Sequence, residues 1–143
     1  MTNRILDAIP HRPPFLFIDT IIEMDEKKIV AEKKLTPDLD FFKGHYPDFP
    51  VMPGVLTMES VFQAGAVLLS QHVDDMESGV PVLTRIKDAK FKKMVRPGDT
   101  LTLEAQIEDS IKTVFYMKGS ARVEGALVVS VSFTCALAPV GAQ

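Results

Sequence analysis

The chain has 143 residues, 46% of them hydrophobic and 24% charged, with a net charge of −3. That length fits one domain and that balance belongs to a folded protein, so wholesale disorder is excluded. The negative charge argues against a general nucleic-acid binder, and the single cysteine, Cys135, excludes an internal disulfide.

From the N-terminus, Met1 to Pro10 carries neither the apolar core nor the cleavage site of a signal peptide, and the cytoplasm is the expected location. Phe15 to Met24 is aliphatic and aromatic and reads as a buried strand; Lys28 to Thr36 alternates loosely and reads as a second. Pro37 to Pro53 is dense in turn formers, which predicts a stiff, irregular loop. A helix is predicted from Pro53-Gly54 to about Gln71 or Val73, because proline suits the first helical position. Val55, Met58, Phe62, Ala66 and Leu69 fall at helical spacing along it, and Leu56, Glu59, Ser60 and Gln63 form a second stripe. A helix that is apolar on most of its surface needs enclosure. The apolar run from Val51 to Leu69 holds Pro53, Glu59 and Gln63, so it reads as a helix buried in protein and no membrane span is expected.

Four strand-like runs follow: about Val82 to Met94, Thr100 to Ile111, Thr113 to Glu124 and Ala126 to Ala138. Arg96-Pro97-Gly98-Asp99, Asp109-Ser110 and Glu124-Gly125 break them, and the last two runs are expected to pair as a hairpin around Gly125. Cys135 lies in the apolar alternation of the last run and reads as a buried thiol. Two strands, one apolar helix and four strands predict an α+β fold in which an antiparallel six-stranded sheet wraps around a long central helix.

The segment Gly44 to Leu56 places His45 in a proline-stiffened loop just ahead of the helix, and Glu59 follows on the helix's second turn. Such a pair can supply a general base and a general acid. Histidine titrates near neutrality, and a glutamate among Leu56, Phe62 and other apolar groups would hold its proton more firmly. Gly54 contributes a first-turn amide with no helical partner, suited to stabilising charge on a carbonyl oxygen. On the residues alone, a hydrogen-bonded structural role for His45 and partial exposure for Glu59 stay open. His72, at the helix end, reads as structural, and His11 as a packing or capping residue. There is no Cys–His cluster for zinc and no glycine-rich phosphate loop, so neither metal nor cofactor is expected.

Gly44-His45-Tyr46-Pro47, then Pro50-Val51-Met52-Pro53-Gly54-Val55-Leu56, Glu59 and Gln63, resemble the signature of the bacterial β-hydroxyacyl-acyl carrier protein dehydratases, which have the hot-dog fold. Ile9 to Leu16, Lys90 to Lys93 and Arg96 to Asp99 resemble that family too, in the same order. The resemblance implies one hot-dog domain over 1–143 that removes water from a 3-hydroxyacyl chain carried on acyl carrier protein, in fatty-acid synthesis. It makes His45 the base, Glu59 the acid and the Gly54 amide the carbonyl contact, with the Val51 carbonyl holding the histidine and Gln63 orienting Glu59. It also pairs the histidine of one subunit with the carboxylate of its neighbour, implying a homodimer, and the family's trimer of dimers follows as a possible higher assembly.

Tyr46, Asp48-Phe49 and Ser60-Val61-Phe62 depart from the family pattern, and Phe62 is a candidate for reshaping the acyl tunnel. These departures admit a dehydratase paralogue of polyketide or aryl-polyene synthesis. Arg85, Lys87, Lys90, Lys92, Lys93 and Arg96 form a basic cluster in an acidic chain, which reads either as a dock for acidic acyl carrier protein or as a solvated face. A hot-dog thioesterase and a non-catalytic acyl-binding protein are the rival functions.

Overall fold

In the computed structural model, which describes residues 3–73 and 79–138, the last five strands of the sequence order and the central helix appear where the pattern predicts them. The elements are α1 (Asn3–Ala8), β1 (Thr20–Met24), β2 (Lys28–Lys34), α2 (Asp40–Gly44), α3 (Gly54–Leu69), β3 (Val80–Phe91), β4 (Thr100–Ile111), β5 (Val114–Val123) and β6 (Ala126–Ala138). All six strands join one antiparallel sheet in the order β1-β2-β4-β5-β6-β3.

The sheet curls around α3. Residues Val61, Ala64, Val67, Leu68 and Leu69 on the helix and Leu101, Leu103, Ala121 and Val129 on the strands are essentially inaccessible. Period-two burial on β4, β5 and β6 supplies the sheet's inner face, as alternation dictates. The closest approach is at Gly119 on β5. A Cβ there would collide with the Val61 side chain and stand 3.0 Å from the Glu104 carbonyl oxygen, so glycine lets helix and sheet meet.

The loose alternation read in β2 resolves in the same way. Ile29, Ala31 and Lys33 are all buried, the lysine tolerated because its Nζ lies 3.1 Å from Asp19 Oδ1. Glu124 and Gly125 both take positive φ, 51° and 81°, which closes the β5–β6 hairpin.

Several boundaries differ from the sequence reading. Phe15 to Asp19 is extended without a full ladder, so β1 starts only at Thr20; two side-chain bonds from α3 hold this segment instead. The helix ends at Leu69 and tightens into a 3-10 turn at Ser70–His72. β3 ends at Phe91, short of Met94, with one further bond from the Lys92 amide to the Val128 carbonyl on β6. Two short helices, α1 and α2, were not anticipated; α2 lies inside the loop read as irregular.

β3 occupies an edge of the sheet and is exposed along nearly all its length, with Val82, Leu83, Ile86 and Phe91 open to solvent. Among the described residues no helix is long and apolar enough to cross a membrane.

Candidate active site

α2 delivers His45. The helix ends at Gly44, the His45 amide closes its last turn on the Phe41 carbonyl, and Tyr46 then reverses the chain with φ 53°. Asp40 in its first turn and Lys43 in its last suit the helix dipole, a signal the prolines obscured. The loop beyond is pinned to the β3–β4 connection: Met52 donates its amide to Val95 at 2.8 Å, and the Arg96 guanidinium lies 4.1 Å over the Phe49 ring. Phe49, one of the departures from the family pattern, thus anchors the loop, and Arg96 is engaged there.

His45 Nδ1 lies 2.9 Å from the Val51 carbonyl oxygen. A carbonyl can only accept, so Nδ1 carries a proton, and in the neutral ring Nε2 is then the nitrogen with the lone pair. The ring is half-buried, with Tyr46 edge-on at 4.7 Å, and lines a cavity of about 540 Å³. Most of the cavity wall is apolar; Val51, Gly54 and Thr57 share it with His45, and Lys92 and Lys93 stand at it with exposed side chains. Phe91 packs over the start of α3, and a Cβ on Gly54 would come within 2.7 Å of its ring.

Glu59 is elsewhere. It does not line this cavity. At about 100° per residue, five steps carry it about 140° around the helix from Gly54. There Gln63, 1% exposed, organises it. The Gln63 carbonyl oxygen accepts the Phe17 amide at 2.7 Å, which fixes the flip of the side chain and turns its NH2 outward. That NH2 donates to the Phe15 carbonyl at 3.0 Å and to Glu59 Oε2 at 3.1 Å. His11, read from the sequence as packing or capping, brings Nε2 to 3.8 Å from the same carboxylate oxygen and stacks on Phe15. Sequence reasoning missed this neighbour because 48 positions separate the two residues. Arg12 holds the segment, donating to the Ile9, His11 and Leu6 carbonyls.

The remaining candidates are settled by packing. Phe62 lies in the core, edge-on to Phe133 at 4.8 Å, and is outside the cavity wall of the single chain. His72 bonds the Glu26 carbonyl at 2.8 Å and leans on Phe115. Cys135 is buried, and burial pushes its thiol up to about 11. Among the described residues no cluster of potential metal ligands occurs.

One chain therefore keeps these groups apart: the His45 ring shares a cavity with Gly54 at the start of α3, and the oriented Glu59 carboxyl lies on another face of the same helix. The family of FabA-like domains matches residues 9–132. A 3-hydroxyacyl-[acyl-carrier-protein] dehydratase FabZ of Clostridium perfringens is 42% identical over 90% of this chain and 91% of its own length. The FabZ of Aromatoleum aromaticum is 43% identical over 94% and 95%. Among solved structures, the dehydratase heterocomplex ApeI:P from Xenorhabdus doucetiae superposes with a TM-score of 0.80 at 14% identity, covering 95% of this chain and 91% of that one. The E. coli PaaI protein does so at 0.66 and 19%, covering 82% and 81%. At those identities the two structures speak to the fold alone, and the fold is the hot-dog.

Proposed function

Because the chain belongs to the FabA-like family, among the FabZ-type 3-hydroxyacyl-acyl carrier protein dehydratases, we propose that it eliminates water from a 3-hydroxyacyl thioester in fatty-acid biosynthesis, with His45 as base and Glu59 as acid. The observation that carries this reading is the His45 Nδ1 bond to the Val51 carbonyl, which leaves Nε2 bare at a largely apolar cavity headed by the Gly54 amide. Nε2 takes the proton from C2 of the substrate, and the electron pair moves toward the thioester oxygen, where the Gly54 amide meets it. The pair returns to form the C2–C3 double bond as the 3-hydroxyl leaves with the proton of Glu59 as water. The imidazolium and the carboxylate then exchange one proton through solvent to reset.

The acid comes from a second copy of the chain. Helix phase puts Glu59 away from the cavity that holds its own His45. The exposed apolar edge of β3 supplies the surface along which two copies pair, an arrangement that also protects an otherwise open edge. Pairing there covers Arg85 and Lys87 on β3, leaving Lys92 and Lys93, at the cavity, to meet the acidic carrier protein. The pair works in the cytoplasm as a single hot-dog unit per chain.

The test is incubation with a 3-hydroxybutyryl thioester. Enoyl absorbance supports elimination, and release of free thiol would instead favour hydrolysis. His45→Ala and Glu59→Gln each lower the rate by about 100-fold or more while the protein stays folded. Mixing the two inactive variants through a cycle of dissociation restores roughly a quarter of wild-type activity if each site draws on both copies. No recovery on mixing refutes the shared site.

A further inference from the structure

Thr57 carries a hydroxyl that the fold leaves idle. It is 2% exposed, it lines the cavity with His45 and Gly54, and its Oγ1 has no hydrogen-bond partner. A helical threonine ordinarily bonds a carbonyl one turn back. Here the Pro53 carbonyl already accepts the amides of Leu56 and Thr57, at 2.9 and 3.1 Å, and Oγ1 takes no share. A buried hydroxyl without a partner costs free energy that a valine of the same shape would not. Its donor is uncommitted, and the residue belongs to the cavity wall.

Position decides what that donor meets. Gly54 and Thr57 are three positions apart, so both lie on one face of α3. Helical side chains lean back toward the N-terminus, which carries the Thr57 hydroxyl toward the first turn. The Gly54 amide, unpaired within the helix, and the positive end of the helix dipole lie in that turn. The geometry points to Thr57 as a second hydrogen-bond donor to the carbonyl oxygen of an acyl thioester bound in this cavity, beside the Gly54 amide. The inference rests on the dehydratase reading above. As His45 takes the C2 proton the electron pair shifts onto that oxygen, and two donors stabilise the charge better than one. The pair then returns to expel the hydroxyl, so no further reactant is needed.

Thr57→Val and Thr57→Ser separate hydroxyl from shape. Steady-state kinetics with a soluble 3-hydroxyacyl thioester and thermal unfolding of the intact assembly are the measurements. Thr57→Val raises or preserves the unfolding midpoint while kcat falls about 10-fold or more and KM stays within about twofold. Thr57→Ser returns kcat to within a few-fold of wild type. A valine variant as fast as wild type overturns the inference. So does equal slowing by valine and serine, or a loss confined to KM, which would place the hydroxyl on the ground state. Thr57→Ala makes the same comparison should valine disturb the helix. An inactive wild type overturns the dehydratase reading, and this inference with it; an active wild type indifferent to Thr57→Val overturns this inference alone.

Discussion

Gln63→Leu tests how the Glu59 carboxyl is held. Leucine matches the shape of glutamine and lacks both polar atoms, so three bonds vanish at once: from the Phe17 amide, to the Phe15 carbonyl and to Glu59 Oε2. Phe17 is buried at 4% exposure, so its N–H loses its partner where water cannot replace it. That loss costs about 1–3 kcal/mol, and the other two bonds contribute about 1 kcal/mol each. Leucine recovers part of this through its greater transfer free energy, which leaves about 2–4 kcal/mol of net destabilisation. Against a domain stability of about 5–15 kcal/mol the variant still folds. Its thermal midpoint falls by about 10 °C. Glu59 keeps its place on α3 but loses the donor that turns its carboxyl, and kcat falls about 10-fold, measured well below both midpoints. Gln63→Glu is the sharper control. It sets a carboxylate oxygen against the Phe15 carbonyl and Glu59, acceptors facing acceptors. Its own pKa in the fold is thereby raised, so stability is retained at low pH, where the introduced carboxyl holds a proton, and lost as pH rises. At neutral pH the order of stability is wild type, leucine, glutamate. A leucine variant within about 2 °C of wild type, with kcat unchanged, refutes the reasoning.

Gly119→Ala forces a methyl into Val61 and toward the Glu104 carbonyl; it destabilises by about 1–3 kcal/mol, read as a drop in the urea midpoint, because backbone cannot yield. Gly54→Ala meets only the half-exposed Phe91 ring, which can swing away, so the midpoint holds or rises while activity falls as the ring and the new methyl crowd the helix amide. Charge reversal at Lys92 and Lys93 raises KM for carrier-bound substrate and leaves a small thioester analogue unaffected. The Cys135 thiol, raised from 9.0 to about 11 in the fold, contributes stability below about pH 9 that is lost as pH rises toward 11; Cys135→Ala removes that part of the slope, measured as the difference between the two proteins' unfolding curves.

The sheet and its helix were legible because burial imposes period on sequence. β4, β5 and β6 alternate, α3 is apolar around most of its girth, and Glu124-Gly125 can close only a tight turn. α2 was hidden because five residues make barely one turn and show no period, and because Pro37, Pro47 and Pro50 dominate their surroundings. The short β1 was over-read for the opposite reason. Phe15, Leu16, Phe17 and Ile18 look like strand, yet Phe17 spends its amide on Gln63 and leaves the ladder incomplete. The His11–Glu59 approach and the unpaired Thr57 hydroxyl are tertiary facts with no local signature.

His45 and Glu59 are 14 positions apart, and the loop between them turns back on α3, so a single-chain pair looks natural. The helix forbids it. Gly54 and Thr57 mark the face that looks into the His45 cavity, whereas Glu59 and Gln63 mark the face that receives the Phe15–Phe17 segment. Glu59 does not line the cavity that holds His45 of its own chain. In the proposed twofold pair each helix would offer its amide end to one substrate and its carboxyl to the other, with neither face altered. α3 is enclosed within one chain, whereas β3 is left bare at the sheet edge, the surface along which pairing is proposed.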